Sequence, residues 1–244
     1  MSHSTSDSQS IRSRLSLATE AGTVLGARVV GAGLSYVVQV LFARWASPEH
    51  YGAYNAMAWT ALLSTFSGLG FQRAVLRFLP AYEQAGKWGL FRGVVWQGQH
   101  VVSAASGLLG AGGIATALVL KGGSPYAVPL ALGVAFLLPR ALLALQTQMC
   151  VARRQTRVAY VLPRLLRPLS MMGDAALLVL GFGASLSAAA AVLLASLPVL
   201  PIWLVQHWAF RRALPTAAAD ASAADASPTY ASATWLRAAC RCSS

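Results

Sequence analysis

The sequence predicts an all-α membrane protein, a polytopic bundle of six transmembrane helices, and three observations predict it. Hydrophobic residues make up 56 % of the chain and charged residues only 11 %, where a soluble domain carries about 25 % charge and roughly 45–50 % apolar residues. The apolar residues gather into runs of about 20, each able to cross about 30 Å of hydrocarbon at about 1.5 Å per residue. Lysine and arginine, finally, concentrate in alternate connections between those runs.

In chain order the expected spans are residues 23–43, 53–71, 94–120, 127–149, 165–182 and 188–208. A polar tail, residues 1–20, precedes them; it is too long for a signal-peptide leader, so the first span reads as an uncleaved helix. That span carries Gly22-x-x-x-Gly26 and then Gly31, Gly33 and Ser35, small residues that let helices approach closely. ASPEHYG, from Ala46 to Gly52, is a short turn bracketed by proline and glycine. Tyr51, Tyr54 and Trp59 after it suit an interfacial or cavity-facing position.

The connection from Arg73 to Gly93 mixes leucine and aromatic residues with arginine and lysine. It is expected to lie along the membrane interface with its apolar side in lipid. The third span includes GLLGAGG, Gly107 to Gly113, whose glycines serve helix packing, since no lysine follows to make a phosphate loop. KGGSPY and GFGASLS are short connections on the opposite side, so little protein projects there. The sixth span contains Pro198 and Pro201, and proline at membrane depth frees carbonyls and kinks the helix. The remainder, 211–244, is a low-complexity tail.

Fifteen of the 19 lysines and arginines lie before the first span, between the second and third, between the fourth and fifth, and after the sixth. The other connections hold only Arg44 and Lys121. The positive-inside rule then puts both termini in the cytoplasm. The net charge of +12 reports this topology and an attraction to anionic membrane lipid, and no nucleic-acid partner is expected.

Three ionisable residues fall within spans: Arg28, Arg140 and Asp174. Arg28 is near enough to its helix end to snorkel. Arg140 and Asp174 each lie roughly 15 Å from the cytoplasmic face at about 1.5 Å per residue, so one reading pairs them with each other. The other reading starts from the cost of a charge at that depth, which demands a water-filled cavity or a partner. A guanidinium offers a forked set of donors to a phosphate and never deprotonates. On that reading Arg140, with Arg28 and Arg44, is the substrate-binding grip for an anion, and Asp174 an ion-coupling site.

No catalytic constellation is present. His3, His50, His100 and His207 are scattered, without a carboxylate or cysteine at ligand spacing, so neither a metal nor another cofactor is expected. Paired carboxylates with a soluble face, which a glycosyl-transferring enzyme would need, are also missing. Cys150, Cys240 and Cys242 imply no disulfide framework.

Residues 41–86 resemble the opening of the bacterial polysaccharide exporters, the O-antigen-type flippases of the multidrug/oligosaccharidyl-lipid/polysaccharide superfamily. The shared elements are S-P-E-x-Y-G at Ser47 to Gly52, G-L-G at Gly68 to Gly70 and R-x-L-P-x-Y at Arg77 to Tyr82. The resemblance implies one six-helix lobe of a two-lobe, alternating-access transporter of the cell inner membrane. Its partner would be a lipid-linked oligosaccharide or polysaccharide precursor with an anionic pyrophosphate. A multidrug antiporter of the same superfamily and a non-transporting membrane scaffold are the alternatives.

The ending departs from that pattern. TYASATWLRAA leads toward a seventh helix, but CRCSS follows. Leu-Pro-Leu-Leu codons read one nucleotide late give Cys-Arg-Cys-Ser, so a frameshift with a second lobe encoded downstream is expected. The absence of any helix-coding stretch in the shifted frame beyond Ala239 would refute it.

Overall fold

The computed structural model describes residues 3–212 apart from 69, 121–126, 156 and 182–186, and among the described residues it is all-helical, with no strand. The tail after Arg212, with the expected frameshift, lies outside the described residues, as do KGGSPY and most of GFGASLS. The helices in order are α1 (His3–Trp45), α2 (Pro48–Phe66), α3 (Phe71–Gln84), α4 (Trp88–Leu120), α5 (Ala127–Ala135) and α6 (Leu137–Ala152). They are followed by α7 (Leu162–Ala176), α8 (Ala188–Ser196) and α9 (Val199–Arg212). Single π-helical turns, Arg157–Val161 and Leu177–Gly181, flank α7.

Among the described residues four stretches are long and apolar enough to cross a membrane: Ala21–Trp45, Trp88–Val119, Ala127–Ala152 and Ala188–Arg212. The other two expected spans fall short for a compositional reason. α2 opens on Pro48, Glu49 and His50, and α7 carries Arg164, Arg167 and Asp174. The outward surface is nevertheless apolar. Leu108 is 77 % exposed, Val119 85 % and Leu180 76 %, which suits hydrocarbon as the surrounding medium.

Local chemistry sets the helix ends. Ser47 caps α2 by accepting from the His50 backbone N–H at 3.4 Å, with Pro48 in the first turn, where its missing N–H costs nothing. The Ser-Pro-Glu motif is thus a helix start. Tyr54, one turn on, packs edge-to-face on Phe42 of α1, ring centroids 5.2 Å apart. Gly70, left-handed at φ 74°, opens α3, a conformation that other residues adopt only at a cost. The polar leader is helical from His3 and continuous with the rest of α1.

The connection after Arg73 departs from expectation. α3 does not rest its apolar face on lipid: Phe71, Val75 and Leu79 are fully buried in one core with Phe91 and Val94 of α4 and with Leu145 and Met149 of α6. Phe71 touches the level of Gly98 and Leu145, while Glu83 reaches Arg153 at 3.1 Å. α3 therefore runs alongside α6 and continues α2 beyond the break at Gly70. Residues from Trp88, assigned to the connection by composition, are the first turns of α4.

The expected glycine contacts also redistribute. A Cβ at Gly22, Gly26 or Gly33 would meet nothing within 4 Å, whereas one at Gly31 would stand 2.8 Å from the Arg164 carbonyl oxygen. Gly31 is what lets α7 lie against α1. In GLLGAGG only Gly113 packs closely, against Val134 of α5.

Candidate functional site

Pro139 has no N–H to give the carbonyl four residues back, and the helix breaks just before it, at Phe136 (φ −86°, ψ 4°). Arg140 follows in the first turn of α6. On the neighbouring stretch α8 ends at Ser196 and α9 starts at Val199, with Pro198 in the break and Pro201 in the first turn of α9, where the two prolines predicted an interruption. The two breaks meet. Arg140 Nη2 donates to Ser196 Oγ at 2.8 Å and Arg140 Nη1 to Thr60 Oγ1 of α2 at 3.2 Å. Ser196 and Thr60 are both buried, and Arg140 Nε is buried with no partner among the described residues.

A second arginine arrives at the same helix end. Arg167 of α7 donates from Nη2 to the Ala195 carbonyl at 3.4 Å. It stands within electrostatic range of Arg140, and the Tyr54 hydroxyl within range of both. The C-terminal end of a helix carries roughly half a negative charge, so the interrupted α8 offers both cations a partial counter-charge. Neither guanidinium has an ion pair with a carboxylate among the described residues.

Beside this cluster a cavity of about 340 Å³ opens between α1 and α7. Ser35 and Gln39 of α1, Tyr54 of α2, and Arg164, Arg167 and Met171 of α7 line it, with Gly31 at its wall. Two arginines line it together with residues that carry hydroxyl and amide groups, the residue types that hold a phosphate and the hydroxyls of a sugar. Arg140 stands behind it and is absent from its lining. Among the described residues no three His, Cys, Asp or Glu side chains gather into a metal-binding group.

The residues singled out from sequence are therefore not one cluster. Arg28 is exposed on α1 with its guanidinium carbon 5.5 Å from the Tyr160 ring centre. Arg44, also exposed, lies sixteen residues farther along α1, roughly 24 Å at 1.5 Å per residue. Asp174 is half-buried on α7 and has no ion-pair partner among the described residues. The Arg140–Asp174 pair does not form; hydroxyl groups occupy Arg140 instead.

Sequence reasoning missed Arg164 and Arg167, which were counted with the cytoplasmic basic residues. A signal existed, because 164, 167, 171 and 174 recur at helical spacing and share one face. Thr60 and Ser196 gave no signal, since a hydroxyl in an apolar run is ordinary. Tyr54 does face the cavity, as its position allowed; the Trp59 side chain lies outside the described residues.

Residues 17–216 match the polysaccharide biosynthesis protein family. No curated protein and no solved structure matches the chain. The family match covers most of α1 and every other described helix, including the arginine cluster and its cavity. The chain, helical with four stretches long and apolar enough to cross a membrane among its described residues, belongs to the polysaccharide biosynthesis protein family.

Proposed function

We infer that the chain exports a lipid-linked oligosaccharide or polysaccharide precursor across the bacterial inner membrane by alternating access. The observation that carries this reading is the pairing of Arg140 and Arg167 beside an open cavity, with no carboxylate bonded to either among the described residues. Two like charges in a medium of low dielectric repel, and a pyrophosphate entering the cavity would relieve that repulsion while accepting forked hydrogen bonds. In this reading α2 with α3, and α7 with its flanking π-turns, complete six crossings, and both termini face the cytoplasm. The chain is one lobe, with a second lobe as its partner.

Arg167 and Arg164 hold the anion directly and Arg140 supplies charge from behind. Arg28, one turn from the cavity-lining Gly31, meets the headgroup at one end of its path, and Arg44 serves the other end. Asp174, without an ion-pair partner among the described residues, carries the coupling proton or sodium ion. A multidrug antiporter is disfavoured because its cationic substrates would be repelled by the two arginines.

Translocation of a fluorescent pyrophosphate-linked oligosaccharide lipid, followed in proteoliposomes holding the chain with its reading frame restored through the second lobe, tests the reading. Arg140→Ala removes a charged hydrogen-bonding group worth about 1.5–3 kcal/mol, so the rate is expected to fall roughly 10- to 150-fold with membrane insertion intact. An unchanged rate overturns the role of Arg140. A chain that binds the lipid and never moves it is a scaffold.

A further inference from the structure

Three stretches, α2–α3, α5–α6 and α8–α9, are each broken once: at Gly70, at Phe136 and at Leu197–Pro198. α2, α5 and α8 touch one another, and α6 packs against both α3 and α9; α2 and α5 also touch α6 across the boundary between the two groups. α4 runs unbroken for 33 residues past both groups, touching α3, α5 and α6.

The α3/α6/α9 layer is fastened as one body. Arg153, which caps the end of α6, pairs with Glu83 of α3 at 3.1 Å, and Thr147 of α6 donates to Gln206 Oε1 of α9 at 3.1 Å. A shared core from Phe71 to Phe210 fills the space between. The α2/α5/α8 layer is joined to it differently. Arg140, rooted in α6, crosses the boundary and bonds one hydroxyl on α2 and another on α8. Both bonds end on buried hydroxyls, and the backbone ladder is thinned at the breaks, where Pro139, Pro198 and Pro201 have no N–H to donate and Gly70 is left-handed. Bending there costs less than in a regular helix.

We propose that the breaks form a hinge plane on which the α2/α5/α8 layer swings against the α3/α6/α9 layer, with α4 as the fixed post and Arg140, held by Thr60 and Ser196, as the latch. Arg140 is a positioning residue in this role. The latch stands whether or not the same side chain also meets a substrate.

Distances between spin labels on the full chain in nanodiscs test it, in a background with Cys150, Cys240 and Cys242 replaced by alanine. One pair, Leu62→Cys on α2 and Leu204→Cys on α9, spans the plane; the other, Trp96→Cys and Leu118→Cys, lies along α4. All four positions are exposed. Thr60→Val with Ser196→Ala removes both acceptors at nearly constant volume. The spanning pair is then expected to gain a second distance population, raised above the roughly 0.1–10 % of a minor conformer, while the α4 pair keeps its single distance. A spanning pair that is unchanged overturns the proposal. Broadening of both pairs also overturns it, because it shows general loosening and no hinge.

Discussion

Gly31→Leu is expected to drive α7 off α1 and abolish ligand binding at the cavity between them. The cause is geometric. A Cβ at this position would sit 2.8 Å from the Arg164 carbonyl oxygen and 3.2 Å from the Arg164 Cβ, so the obstacle is backbone and no side-chain rotation relieves it. Overpacking a close contact costs about 1–3 kcal/mol. Here the same shift moves Arg164 and Arg167, so binding falls with stability. Gly31→Ala should show a smaller loss of both. Gly22→Leu and Gly26→Leu add side chains where nothing lies within 4 Å and should change stability by about 0.5 kcal/mol or less, as surface substitutions do. Thermal unfolding in detergent, read alongside ligand binding, checks the series. Equal effects at Gly22 and Gly31 would show that α1 packs through a different face.

Arg167→Met is expected to weaken binding of a pyrophosphate lipid while raising thermal stability. Methionine keeps most of the side-chain volume and removes the charge. Losing a charged hydrogen-bonding group costs about 1.5–3 kcal/mol of binding, or roughly 10- to 150-fold in Kd. Stability moves the other way, because a half-buried cation near a second cation is costly to keep and an apolar side chain of similar size is not. The Ala195 carbonyl loses only a long contact of 3.4 Å. Arg167→Lys should recover part of the binding, since it restores the charge without the planar fork. Paired titration and melting curves decide the matter. Binding and stability falling together would make Arg167 a packing residue.

The membrane character and the helical class were legible in sequence, because composition and run length depend on solvent alone; the family was legible through the short motifs between Ser47 and Tyr82. The Pro198 and Pro201 kink was legible for a similar reason: a missing N–H is a local property. What failed needed knowledge of neighbours. α3 carries the pattern of an interfacial helix, and only the position of α4 and α6 turns its apolar face toward protein. Gly22-x-x-x-Gly26 has the spacing of a packing motif, yet the close approach falls at Gly31, where α7 happens to pass. At the site, Arg140 was marked by its isolation in an apolar run. Arg167 was hidden because it lies among basic residues that topology already explained. The two hydroxyls that hold Arg140 belong to helices remote in sequence, and nothing local to Thr60 or Ser196 announces their role.

The most direct test compares three ligands of the purified chain in nanodiscs: a polyprenyl pyrophosphate, the uncharged polyprenol of the same length, and a quaternary ammonium lipid. With uncompensated guanidinium groups at the cavity, the pyrophosphate should bind most tightly, weaken as salt is raised and lose its advantage in Arg167→Met. Equal affinity for the uncharged polyprenol, or preference for the ammonium lipid, would contradict a site built for an anion.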